Sequence, residues 1–191
     1  MAKKNLTDCD ILVVGGSAGS LEVILQLLPS IPQSIPFAIV LVLHRKSGES
    51  MLTELLADKT TLPVQEVEEK DQIQPGTIYI APPDYHLLIE QDRSFSLDYS
   101  EKINYSRPSI DVTFESASDI FGSKTAAMLL SGANADGVSG LKVIQQNGGL
   151  TIIQNPLDAS VSYMPQQAMD AMDSDYVLDT PGLALLVSGK G

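Results

Sequence analysis

Apolar residues fall along the chain in short unbroken runs, separated by polar or glycine-bearing turns and by segments of helical spacing. The first run, Ile11 to Val14 in ILVVGGSAGSLEVILQLL, enters a turn of small residues and then a helix with an apolar stripe, the opening of an α/β unit. Phe37 to Leu43 (FAIVLVL) is continuous over a strand's length, as a parallel strand covered on both faces requires, and it stops at His44. GESMLTELLADKT reads as a helix and Val64 to Val67 as a short strand. GTIYIAPP and LLIE read as strands flanking a loop, with Phe95 to Tyr99 as a partner, so antiparallel hairpins are expected at one edge. Helical spacing returns from Ile110 to Ile120, and TAAMLLSG is a buried strand that breaks in the polar turn SGANADGVSG. LKVIQQNGG is a helix closed by glycine, LTIIQ a strand, PQQAMDAM a helix with Pro165 in its first turn, and DYVLD the last strand. No repeat, low-complexity tract or linker interrupts the series.

This alternation predicts an α/β domain: a doubly wound, mostly parallel sheet with helices on both faces and an antiparallel edge hairpin section. Such folds hold their sites outside the carboxyl ends of the strands, and three predicted strands end in reactive residues, Ser17, His44 and Asp136. A length of 191 residues suits one domain, and 43% hydrophobic content is that of a globular chain. The formal charge of −12 repels nucleic acid and anionic membrane surfaces, so neither is expected as a partner. No apolar run is long enough to insert in a bilayer. The single cysteine, Cys9, has no internal disulfide partner and the first ten residues lack a signal peptide, which together predict a cytoplasmic protein.

The opening loop is a poor match to two nucleotide-site patterns, which leaves nucleotide binding a distant third reading. In a dinucleotide fingerprint beginning at Gly15, Ser17 and Ser20 would occupy the second and third glycine positions, and no Gly-Lys-Ser/Thr follows to make a P-loop. Gly15, Gly16, Ser17, Ala18 and Gly19 instead match G-x-S-x-G, a nucleophile elbow whose serine stands on a sharp turn with a helix N-terminus behind it. The competing reading is a tight turn whose serine caps the helix. A nucleophile needs a base. Of the two histidines, His44 shares a sheet edge with Ser17, whereas His86 sits in the hairpin section. Asp136 is the candidate carboxylate for the other ring nitrogen, its alternative use being the turn before Gly137. The order Ser, His, Asp differs from that of α/β-hydrolases. Two histidines and one cysteine show no metal-ligand spacing, so neither metal nor cofactor is expected.

Several separated motifs in one order, from ILVVGGSAGSLEVILQLLPSIP and IVLVLH through GTIYIAPPDYHLLI and RPSIDVTFESAS to LLSGANADGVSGLKVIQQNGG and QNPLDASVSYMPQQAM, resemble the catalytic domain of chemotaxis protein-glutamate methylesterases of the CheB type. The resemblance runs from about Cys9 to about Leu178 and implies a single catalytic domain over residues 1–191. It implies a serine hydrolase acting on glutamyl methyl esters of chemoreceptor cytoplasmic helices, with methanol released and receptor glutamines deamidated as a second activity. The family's triad falls on Ser17, His44 and Asp136. Arg107 and Met164-Pro165 are signature positions of the same resemblance.

Six positions depart from the family pattern. Ala18 and Ser20 stand where the elbow has Thr and Gly, which removes a hydroxyl expected to hold the histidine and leaves Ser20 as a substitute if it reaches inward. Ala133 and Asn134 alter the loop before Asp136, and Arg45-Lys46 replace Met-Pro after His44, adding cations to the mouth of the site. These changes raise an alternative function, a catalytically impaired domain that binds receptors or signalling partners. Since the chain reaches its first core strand within about ten residues, no receiver domain is expected in it, and a receiver or kinase acting in trans is the expected regulatory partner.

Overall fold

The computed structural model describes residues 3–47 and 51–191. Seven parallel strands form one sheet in the order β3-β4-β2-β1-β7-β8-β9, where β1 is Ile11–Gly16, β2 Ala38–Leu43, β3 Val64–Glu66, β4 Ile78–Ile80, β7 Thr125–Leu129, β8 Leu150–Gln154 and β9 Tyr176–Leu178. From β1 the chain passes to β2, goes out to β3 at one edge and comes back to insert β4 between them, then crosses to the other side of β1 and continues outward through β7 and β8 to β9. β1 therefore lies at the point where the winding reverses, and the crevice outside its carboxyl end is where this topology leaves room for a site.

Because side chains alternate across a strand, each central strand feeds two cores. Leu12, Val14, Ile39 and Leu41 face one, together with Ile24 and Leu27 of α1 (Ser20–Leu27), Leu56 of α2 (Leu52–Ala57) and Leu183 of α6 (Thr180–Val187). Ile11, Val13, Val40 and Val42 face the other, with Phe114 of α3 (Ile110–Phe121), Leu141 of α4 (Val138–Gln146) and Met164 of α5 (Tyr163–Ala171). Burial on both faces explains why these strands read as unbroken apolar runs.

Two local readings change. GTIYIAPP does not enter a hairpin: Ile78, Tyr79 and Ile80 are all buried and form β4, paired in parallel with β2 and β3. The antiparallel ribbon consists of β5 (His86–Ile89) and β6 (Phe95–Asp98), and it stands apart from the main sheet, packed on α3. Thr113 Oγ1 donates to the Leu87 carbonyl at 2.7 Å and Ser116 Oγ accepts from Ile89 N–H at 3.1 Å, so helix side chains satisfy the ribbon's backbone groups. Beyond the strand expected last, the chain adds a helix, α6, whose Asp179 cap accepts from Gly182 N–H at 2.9 Å. Of the helix expected over GESMLTELLADKT, Leu52–Ala57 is helical, and residues 48–50 lie outside the described residues.

Phe114 is fully buried where α3 meets the sheet. Phe114→Ala is expected to lower the unfolding free energy by about 3–5 kcal/mol, read from urea denaturation as a reduced midpoint at unchanged slope.

Candidate active site

Strand β1 delivers Ser17 to the sheet edge, and β2 delivers His44 beside it. The ladder's last pair is Gly16↔Leu43, and the His44 N–H donates to the Gly16 carbonyl at 3.1 Å, so Ser17 and His44 follow at adjacent strand ends. On its other side Ser17 N–H donates to the Ser131 carbonyl, 2.9 Å, which ties the elbow to the end of β7. The turn is then forced by close packing. A Cβ on Gly16 would lie 2.4 Å from that of Ser20, and Gly19, at φ 82°, would place one 2.7 Å from Ser131 Oγ. Ser20 does not reach the histidine as a substitute hydroxyl: its Oγ donates to the Ser17 carbonyl at 2.6 Å and is buried there. Ser17 Oγ itself has no hydrogen-bond partner among the described residues and is half-buried.

His44 and Asp136 meet directly, with His44 Nε2 2.7 Å from Asp136 Oδ2. Asp136 is fully buried, and four more donors converge on its carboxylate. Oδ2 also accepts from Ile110 N–H at 2.7 Å, while Oδ1 accepts from Ser109 Oγ at 3.0 Å, Asp111 N–H at 3.1 Å and Asn104 Nδ2 at 3.4 Å. The two backbone donors are the first turn of α3, so the carboxylate sits on the positive end of a twelve-residue helix. Burial pushes the Asp136 carboxyl up, but the bonds from His44, Ile110 and Asp111 outweigh it and hold the group below the usual range. An ionised carboxylate only accepts, which assigns the proton of that bond to His44 Nε2 and leaves a lone pair on Nδ1. Ser106 Oγ lies 3.4 Å from Nδ1, within the same turn that carries Asn104.

The loop before Asp136 is shaped by its departures from the family pattern. Asn134 Oδ1 accepts from the Asp136 N–H at 3.0 Å and its Nδ2 donates to Ser106 Oγ at 3.4 Å, so this side chain links the loop to the turn over His44. Arg45 is held to Glu66 at 2.6 Å, whereas Lys46 is exposed. Among the described residues no three histidine, cysteine or carboxylate side chains are grouped to hold a metal ion.

The remaining candidates are structural. His86 is fully buried; its Nε2 lies 2.8 Å from the Glu101 carbonyl, and its Nδ1 accepts from Ser109 N–H at 3.1 Å. It thereby braces, from the ribbon, the residue that caps α3 and bonds Asp136. Met164 is fully buried against Gly132, a packing role. Burial, with help from Asp8, pushes the Cys9 thiol up to about 11, so it is no competing nucleophile. Sequence reasoning missed Asn104, Ser106 and the part Ser109 plays. Only Ser109 carried a signal, a serine after proline at a helix start.

A serine on a strand-to-helix elbow and a neighbouring histidine backed by a buried carboxylate, at the winding reversal of a parallel α/β sheet, make a site of the serine-hydrolase class. Comparison with known proteins narrows this: a family model described as CheB methylesterase matches residues 12–187, and the chain belongs to that family. A Leptospira interrogans protein, named provisionally as a protein-glutamate methylesterase/protein-glutamine glutaminase, is 43% identical over 180 residues, 93% of this chain and 92% of that protein. A Thermotoga maritima protein-glutamate methylesterase/protein-glutamine glutaminase is 35% identical over 88% of this chain, which spans 50% of that relative. The crystal structure of the Thermotoga maritima CheB methylesterase catalytic domain superposes with a TM-score of 0.86 at 33% identity, covering 94% of this chain and 99% of that one.

One neighbour of the pair titrates in an unusual range. Burial first, then the nearby Asp136 charge, push the Asp111 carboxyl up to about 6 against the bonds it accepts from Gly140 N–H and Asn104 Nδ2. A raised carboxyl costs stability above its folded pKa, and the cost is relieved as pH falls from about 6 toward 4. Wild type is therefore expected to gain about 2 kcal/mol relative to Asp111→Asn between pH 7.5 and pH 4.5. Urea unfolding at the two pH values measures the difference.

Proposed function

We propose that the chain is a serine methylesterase that hydrolyses glutamyl methyl esters on the cytoplasmic helices of chemoreceptors. The observation that carries this reading is the 2.7 Å bond from His44 to a buried, ionised Asp136 beside the elbow serine. Ser17 Oγ attacks the ester carbonyl and its proton passes to His44 Nδ1, the nitrogen that Asp136 leaves with a lone pair. Ser106 Oγ must yield that nitrogen as the proton arrives. The negative charge that develops on the carbonyl oxygen needs backbone donors. Ser17 N–H is committed to Ser131, whereas Ala18 N–H has no acceptor among the described residues and stands at the N-terminal side of α1.

Collapse of the tetrahedral intermediate breaks the bond to the methoxy oxygen, which takes the proton from His44 and leaves as methanol. Water, deprotonated by the same nitrogen, then attacks the acyl-serine and releases the glutamate carboxylate and a restored Ser17. A glutamine side chain enters the same sequence with ammonia as the leaving group, which is the basis of the deamidase activity. No step calls on a metal or cofactor. The reading places one catalytic domain in the cytoplasm, where receptor helices would meet it; among the described residues no helix is long and apolar enough to cross a membrane. The impaired-domain alternative draws no support from the relatives, and the residues that motivated it leave the His44 to Asp136 bond formed.

Methanol release from methylated chemoreceptor membranes is expected to fall at least about 10³-fold in Ser17→Ala, and by about 10³- to 10⁴-fold in Asp136→Asn, which favours the wrong imidazole tautomer. Release from folded Ser17→Ala equal to that of wild type would overturn the reading.

A further inference from the structure

Beside His44 opens a cleft of about 520 Å³ whose wall includes Arg45, Lys46, Lys102 and Arg107, with Asp84 the one carboxylate among its described lining residues. The chain has 24 acidic and 12 basic residues, so four cations facing one cleft reverse the balance of the rest of the molecule. Their states differ. Arg45 is held by Glu66, 2.6 Å away, and so is already paired with a carboxylate. Arg107 is laid over the Tyr99 ring, 3.9 Å from its centroid, with Nη1 donating to the Ser100 carbonyl at 2.8 Å. Its Nε is buried with no hydrogen-bond partner among the described residues. Lys46 and Lys102 are exposed, and among the described residues neither forms an ion pair or hydrogen bond.

An uncharged methyl ester has no use for cations of this kind. The geometry points to a second subsite: the cleft takes a carboxylate side chain that flanks the esterified glutamate on the same polypeptide, with Lys46 and Lys102 as its counter-charges and Arg107 as a fixed wall. The inference rests on the methylesterase reading for the identity of the central residue. The subsite favours polypeptide segments with several acidic side chains over those in which the ester stands alone. Nucleic acid, the other polyanion that such a cleft could attract, is opposed by the net charge of −12.

The test uses the full chain carrying Ser17→Ala, so that the ester survives, and two synthetic peptides with a central glutamyl γ-methyl ester. One peptide has glutamates on both sides of the ester; the other has glutamines. At low ionic strength the glutamate peptide is expected to bind about fivefold tighter by fluorescence anisotropy, with the advantage fading as salt is added. Adding K46Q and K102Q removes the advantage. Adding D84N instead enlarges it, and asparagine suits the positive φ of 68° at that position. Equal affinities in the parent protein, or an advantage that survives K46Q and K102Q, would overturn the subsite. If that double variant is unfolded, D84N decides alone: an enlarged advantage supports the subsite and an unchanged one rejects it. Hydrolysis of the two peptides by the Ser17 protein is scored separately. A charge preference without Ser17-dependent methanol release keeps the subsite and rejects the esterase.

Discussion

Everything at the sheet edge depends on one buried negative charge at the mouth of one helix. Asp136 comes from the loop after β7, yet four of its five donors come from residues 104–111, in or just before α3. The carboxylate therefore joins the loop to the helix, and His44 is the third body bound to the same two oxygens. An uncompensated charge at this depth would be driven to protonate. Here the helix end and the imidazole reverse that tendency, and the group that holds the His44 ring is also the group that seats α3.

Around this charge the scaffold is rigid where the chemistry needs position. Ser17 is tied on one side to β7 and on the other, through Gly16, to β2, so the elbow cannot shift without disturbing two parallel ladders. Glycines at 16 and 19 let Ser20 on one side and Ser131 and Ser160 on the other pack where any side chain would intrude. The turn from Asn104 to Ser106 is different in character, since it contributes side chains to both Asp136 and His44 from a segment that belongs to neither strand nor helix.

Much of this was legible in the sequence, for reasons that can be traced. Central parallel strands write themselves as unbroken apolar runs, and the residues just after them, Ser17 and His44, had to share an edge once the sheet was recognised. Asp136 was readable as a loop residue at that edge, but nothing in its sequence neighbours announces that its carboxylate crosses to the first turn of α3. Such contacts join segments about thirty residues apart and leave no period. The misplaced hairpin has a similar origin: three buried residues cannot tell a parallel partner from an antiparallel one. TPGLALLV, too short and with a glycine near its start, did not stand out as α6.

The orientation of the His44 ring has a consequence for precision. Asp136 grips Nε2, the nitrogen farther along the side chain, so the nitrogen that takes the proton in the proposed mechanism is Nδ1, only two bonds beyond Cβ. The ring behaves as a lever clamped at its tip, with its working point close to the fulcrum on β2. Small rocking of the side chain moves such a point little, and its placement is inherited from a strand buried on both faces. In the proposed mechanism the proton acceptor is thus placed by the buried sheet, while recognition is left to the loops around it.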